Sequence, residues 1–246
     1  MNTIDFILDL IYPPSCLACG ELQTIGTQVP LCPACQTKWE ELRRAYCPVC
    51  GDYETVCACK PPLLADLIRN VECVHLVPYE QTTVAGSLLL IAKDERLFRL
   101  TGFFADELTS ALAARGIMQG QERTVITYLP RAVSRKADTG VDQAESLARA
   151  LGKRLELPVV KAFARRGAPP QKELTADERL RSARRTYRLR KGFSLPEGST
   201  VLLVDDILTT GATMLTGAEL LRSAGAGSIV CVCVGRSVES SKKQKK

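Results

Sequence analysis

Residues 201–213 read VLLVDDILTTGAT. Four consecutive apolar residues, two of them β-branched, describe a short strand buried on both faces, the kind that parallel sheets contain. Asp205 and Asp206 end it, so two carboxylates stand at the C-terminal edge of the strand, where open α/β sheets bind their ligands. Thr209, Thr210, Gly211, Ala212 and Thr213 follow and open into a helix carrying Leu215, Ala218 and Leu221. Backbone N–H groups at such a turn, with a helix dipole behind them and threonine hydroxyls beside them, form a receptor for a phosphate dianion. Gly211 permits close approach. Two acids beside a phosphate cradle suit a sugar phosphate: the carboxylates accept from vicinal hydroxyls while the cradle holds the phosphate.

Outward from this stretch, strand-like and helix-like patterns alternate. Residues 71–78 read as a strand, and a helix through Phe103, Phe104, Leu108 and Leu112 stops at Gly116. Residues 124–129 form a second strand, closed by Pro130. Ala144, Leu147, Ala148, Leu151 and Leu155 then share one helical face, Gly225 ends the helix after the acidic stretch, and residues 228–234 supply a last strand. Such alternation predicts a parallel sheet covered by helices. Cys73, Cys231 and Cys233 read as small core hydrophobes, and His75, the single histidine, as a packed strand residue without a catalytic role.

The other eight of the 11 cysteines fall between residues 16 and 59, as C-x2-C (Cys16, Cys19), C-x2-C (Cys32, Cys35), C-x2-C (Cys47, Cys50) and C-x-C (Cys57, Cys59). Two thiolates two residues apart reach one ion from a single knuckle turn, and two knuckles complete a tetrahedral site, so eight ligands make two structural Zn2+ sites. Consecutive knuckles sharing an ion is the favoured pairing; interleaving is the alternative. A catalytic zinc with an open water position needs ligands other than these, and no histidine lies in the segment. Residues 13–66 are too poor in apolar side chains to fold by packing alone, so each metal would contribute on the order of 10 kcal/mol. Trp39 is expected to pack over a ribbon.

With 246 residues, 46% hydrophobic and 24% charged, the chain is neither disordered nor a disulfide mini-protein. No stretch approaches the ~20 apolar residues of a membrane span, and Asp5 and Asp9 interrupt the apolar N-terminus, so a cytoplasmic protein without membrane insertion is expected. Residues 1–66 hold four basic and eight acidic side chains, whereas the remainder holds 29 and 19. The basic character therefore belongs to the second segment and favours phosphate-bearing partners there. It is densest over residues 161–191, a run that fits either a polyphosphate or nucleic-acid contact or a solvated helix face.

The hydrophobic strand, two acids and a Thr-Gly loop resemble the phosphoribosyl pyrophosphate (PRPP) motif of the type I phosphoribosyltransferases. Cysteine knuckles, Pro130-Arg131 after a strand, Asp142-Gln143-Ala144 at a helix start and a Q-K-x-L-x-x-x-x-R element (Gln171, Lys172, Leu174, Arg179) narrow the resemblance to the ComF family. That family combines a double zinc ribbon with a phosphoribosyltransferase domain and is linked to DNA uptake in natural competence. The resemblance implies an N-terminal helix and double zinc ribbon over residues 1–66 and an α/β phosphoribosyltransferase-like domain over residues 67–246. It implies that Asp205 and Asp206 grip the ribose hydroxyls, that residues Thr209 to Thr213 hold the 5-phosphate, that Pro130 and Arg131 face the pyrophosphate, and that residues 171–179 belong to a lid. Mg2+ is implied with PRPP. The chain departs from the family at residues 138–144, which lack the arginine and aromatic of an R-G-F-N-Q-A element. It also has Thr209 where some purine-salvage relatives place an aspartate base. Three functions follow from these readings: a transferase with an unidentified acceptor, a non-catalytic competence factor that binds single-stranded DNA and senses PRPP, and a scaffold whose ribbons contact a partner protein.

Overall fold

The computed structural model describes residues 13–27, 29–47, 53, 71–80, 82–91, 98–117, 123–130, 142–166 and 175–237. Its strands are β1 (Val71–Tyr79), β2 (Thr124–Tyr128), β3 (Phe163–Arg165), β4 (Tyr187–Leu189), β5 (Ser199–Val204), β6 (Ile207–Leu208) and β7 (Ala226–Ser237). The helices are α1 (Pro33–Arg43), α2 (Val84–Ile91), α3 (Phe98–Ala114), α4 (Gln143–Leu155), α5 (Ala176–Thr186) and α6 (Ala212–Ser223).

The main sheet has the order β1-β7-β5-β2, with β6 also on β7, and every pairing in it is parallel. Val159 bridges Ile126 in parallel, which prolongs the sheet beyond β2. Parallel strands covered on both faces must be apolar on both, and β5 and β7 show this: residues 201–204 and 229–234 are all buried. One face (Val74, Leu76, Ile126, Leu202, Val204, Val230, Val232) packs under α2, α3 and α4. The opposite face (Val71, Cys73, Val201, Leu203, Ile229, Cys231, Cys233) packs under α6 and the antiparallel β3–β4 pair. The three strand cysteines and His75 are buried, as core residues.

The caps explain where the helices begin and end. Asp142 accepts from Glu145 N–H at the start of α4, and α5 begins with a reciprocal capping box between Thr175 and Glu178. Gly217 of α6 faces β5, where a Cβ would meet Leu203 Cδ2 at 2.9 Å, so a glycine is what lets the helix lie this close to the sheet.

The ribbon segment joins the same core. Trp39 is fully buried, in one cluster with the ribbon residues Cys16, Leu31, Cys32 and Cys35, and it also reaches α3: its ring lies 5.3 Å from that of Phe103 and 5.8 Å from that of Phe104. Its indole N–H donates to Glu107 Oε2 at 2.9 Å, and Arg43 forms an ion pair with the same carboxylate. A large apolar ring with one donor gains most where both are satisfied, and α3 offers aromatic rings and an acceptor together. The helix α1 that carries Cys35 and Trp39 was not legible among the knuckles.

Candidate functional site

The first metal centre is assembled from two local turns. Cys16 lies in a turn closed by Gly20 N–H to Cys16 O at 2.8 Å, with Gly20 at φ +79°. Cys32 is the N-cap of α1, Pro33 occupies the first turn, and Cys35 follows one turn later. The sulfurs of Cys16, Cys19, Cys32 and Cys35 all lie within 4.8 Å of one another. Tetrahedral zinc with Zn–S near 2.3 Å separates its sulfurs by about 3.8 Å, and Cys19 Sγ and Cys32 Sγ are 3.8 Å apart. The donor set therefore fits one structural zinc, with consecutive knuckles sharing the ion. Burial alone would raise the Cys16 thiol, but backbone N–H groups of Cys32, Cys19 and Ala18 outweigh it and bring it down to about 7. Burial and the neighbouring thiols push Cys35 up instead. Such a set holds a thiolate readily only when a cation offsets the shared charge. Of the second set, Cys47 is described and buried; Cys50, Cys57 and Cys59 lie outside the described residues.

At the C-terminal edge of the main sheet, β5 gives way to Asp205 and Asp206, both half-buried rather than turned into the core. The register through them is continuous: Val204 pairs with Val232 and Ile207 with Gly235, so no residue is inserted. Asp205 N–H donates to Val232 O at 3.0 Å, while Val234 and Gly235 N–H groups donate to Asp206 O at 3.1 and 3.3 Å. The side chains take the remaining backbone donors. Asp205 Oδ1 accepts from Asp206 N–H at 3.0 Å, and Asp206 Oδ1 accepts from Ile207 N–H at 2.9 Å. Each carboxylate is thus oriented by its own main chain.

Thr209 is exposed, Thr210 and Thr213 are half-buried, and Gly211 and Ala212 are buried. Gly211 is the N-cap of α6 at φ +84°, a left-handed conformation that costs glycine little, and it provides no side-chain cap. Thr210 Oγ1 lies 3.5 Å from Ala212 N. The turn therefore presents the start of a 12-residue helix, flanked by hydroxyls, beside two carboxylates. Pro130 follows β2 at the same edge and is half-buried; Arg131, residues 138–141 and residues 171–174 lie outside the described residues.

Two further residues near the acids, Arg165 and Tyr187, belong to the antiparallel β3–β4 pair and were not singled out as site residues. Burial pushes the Tyr187 phenol up to about 12; Arg165 opposes this, while Asp205, Asp142 and Asp206 add to it. Arg165 Nη1 donates to Tyr187 Oη at 3.2 Å, and its guanidinium lies 5.4 Å from the ring centroid. A neutral phenol and a cation thus share the surroundings of the acids. Only the basic run hinted at Arg165, because the approach depends on β4 pairing with β3 after helix α5.

Glu145, in the first turn of α4, lies between Lys161 Nζ at 3.0 Å and Arg149 Nη2 at 2.8 Å. Burial would raise it, but hydrogen bonds from Arg149, Lys161 and Tyr128 hold it down at about 2. The cluster ties the end of β2 to the start of α4.

The double zinc ribbon domain family matches residues 7–63, and the phosphoribosyl transferase domain family matches residues 114–246. Over 225 residues the chain is 25% identical to the competence protein ComFC of Streptococcus pneumoniae, covering 87% of this chain and 96% of that protein. A 48-residue stretch is 40% identical to the orotate phosphoribosyltransferase of Phenylobacterium zucineum; it spans 20% of this chain and 25% of that enzyme. Among solved structures, the adenine phosphoribosyltransferase of Leishmania donovani aligns at 16% identity with a TM-score of 0.38, over 74% of this chain and 92% of that one. A parallel α/β sheet with its acids and Thr-Gly turn at the C-terminal edge is thus preceded by a double zinc ribbon, and with more than half of its length matched, the chain belongs to the phosphoribosyl transferase domain family.

Proposed function

We propose that residues 205–213 bind the ribose and 5-phosphate of PRPP, and that the protein acts in DNA uptake, as the name of its ComFC relative suggests. The observation that carries this reading is the pair of half-buried, backbone-oriented carboxylates, the second of them five positions before the glycine N-cap of a helix. Asp205 and Asp206 accept from the ribose hydroxyls. Residues Thr209 to Thr213 hold the 5-phosphate through first-turn N–H groups and hydroxyls. Pro130 and Arg131 face the pyrophosphate.

Mg2+ would be held by the pyrophosphate oxygens together with one or two carboxylates at most, as at many phosphate sites. When bound, it would neutralise charge accumulating on the leaving group. The chain's own contribution to displacement at C1 is positioning and fixed dipoles. Neither Thr209 nor the Tyr187 phenol, held neutral up to about 12, is a base at neutral pH. An acceptor that needs no proton removed before attack suits these residues best. Thiolate zinc sites suit a reducing compartment, consistent with a cytoplasmic location.

Calorimetry with PRPP and Mg2+ tests the site: binding heat with the wild type and affinity about 10- to 100-fold weaker with Asp205→Asn is the expected result. No heat in either would sink it. For the biological role, the wild-type chain should restore transformation to a competent strain lacking its ComFC, and Asp205→Asn should not.

A further inference from the structure

The four cysteines of the first ribbon differ in one respect. Cys16, Cys32 and Cys35 are buried, whereas Cys19 is exposed. The chain beside it is open as well: a Cβ built on Gly20 would meet no atom within 4 Å. The first knuckle thus keeps one cysteine in the core and leaves the other at the surface. Cys73, Cys231 and Cys233, in the middle of the sheet, are buried and offer no comparable access.

A partner for Cys19 is already in place. Its Sγ lies 3.8 Å from that of Cys32, 13 residues along the chain, and Cys32 is the N-cap of α1. Cys35 and Trp39 follow on the same helix, and Trp39 shares a buried cluster with Cys16, Cys32 and Cys35. A change at the exposed cysteine therefore reaches the core along α1.

We propose that Cys19 is a site of oxidation by hydroperoxides, with Cys32 as the resolving thiolate, and that the first ribbon thereby gives up its zinc reversibly. Bound zinc keeps the four sulfurs as thiolates, the nucleophilic form. With hydrogen peroxide, the Cys19 sulfur attacks one oxygen and the O–O bond breaks. The sulfur loses two electrons and becomes a sulfenic acid, while the second oxygen leaves as hydroxide and takes a proton to become water. The Cys32 thiolate then attacks the Cys19 sulfur, an S–S bond forms, and hydroxide leaves and is protonated to a second water. Two thiolates, one peroxide and two protons give one disulfide and two waters. Only Cys16 and Cys35 remain as donors, too few for a structural zinc site. The new bond ties the two knuckles together while α1 loses its metal anchor, and a thiol reductant restores the four donors. In a reducing compartment such disulfides are transient and redox-sensing. Nothing in this chemistry depends on what binds at residues 205–213.

The test uses the full chain loaded with zinc, limiting hydrogen peroxide, a chromogenic zinc chelator and peptide mapping by mass spectrometry. Zinc should be released, and the first disulfide to appear within residues 16–35 should join Cys19 to Cys32 while Cys73, Cys231 and Cys233 stay reduced. Emission of Trp39, the single tryptophan, should shift to the red in step with that disulfide, and dithiothreitol with added zinc should reverse both. Cys19→His, which keeps a zinc donor but removes the exposed sulfur, should slow the tryptophan shift by about tenfold or more. Cys19 still a thiol once the shift is complete, a first disulfide between any other pair of these four cysteines, or a wild-type rate in Cys19→His would each overturn the proposal. The mapping is made on the wild type and requires no variant to fold.

Discussion

The first ribbon and the acidic loop treat negative charge in opposite ways with similar parts. Around Cys16, backbone N–H groups of Cys32, Cys19 and Ala18 converge on a buried sulfur and favour its anion. At residues 209–213, a helix start with a glycine cap presents its donors at a half-open edge. Both devices are main-chain donors arranged by a tight turn with a left-handed glycine, Gly20 in one and Gly211 in the other. Burial separates them. A site inside the core makes its ligand part of the fold, whereas a site at the sheet edge lets the ligand come and go.

Breaking the buried device should have the largest effect. Cys16→Ser, or removal of zinc, is expected to cost on the order of 10 kcal/mol of metal-linked stability and to uncouple α1 from α3. Because Trp39 is the single tryptophan and is packed between the two, its emission should shift to the red. An unchanged spectrum in the metal-free protein would show that packing alone holds the ribbon.

At the open edge, Asp205→Asn should weaken PRPP by about 10- to 100-fold, the range for losing a charged hydrogen bond to a hydroxyl, with little change in melting temperature. The contrast with Cys16→Ser is the sharp part: one variant should lose fold, the other ligand. Equal losses of stability in both would erase the distinction.

A third anion, Glu145, is held mainly by side chains. Its folded pKa of about 2 lies below its ordinary value of 4.5, so its contribution is fully present above about 4.5 and fades as pH falls towards 2. Linkage puts this on the order of 2 kcal/mol. Glu145→Gln should flatten that part of an acid-denaturation curve, and an unaltered curve would remove the cluster from the stability account.

Gly211→Ala should cost about 1–2 kcal/mol of folding stability for a side chain in the left-handed region, read by thermal melting. The same Cβ stands in the cradle, so PRPP affinity should fall several-fold as well. Stability lost without affinity would place the phosphate elsewhere.

Much of this architecture was legible residue by residue. Runs of apolar residues marked β1, β2, β5 and β7, because strands buried on both faces tolerate little else. The periodic face from Ala144 to Leu155 marked α4, and Gly116 and Gly225 marked helix ends. The C-x2-C spacing announced one metal centre correctly, since a knuckle is a local turn. The β3–β4 pair escaped notice because three-residue strands lack a period to detect. Helix α1 was masked by the cysteines it carries. The cysteine-rich neighbourhood of Trp39 points to its ribbon side, whereas its partners Phe103, Phe104 and Glu107 lie more than 60 residues away and leave no local signal.

Local chemistry, then, set the elements: hydrophobic runs, turn formers, thiolate spacing and the placement of two acids before a Thr-Gly turn are all properties of neighbouring residues. Which of them meet was settled by the closed three-layer packing. Folding alone brought Arg165 and Tyr187 towards the acids, set Arg236 against Cys47, and welded the first ribbon to α3. Contacts between residues distant in the chain depend on how layers stack and strands register, and that is a property of the whole core rather than of any segment within it.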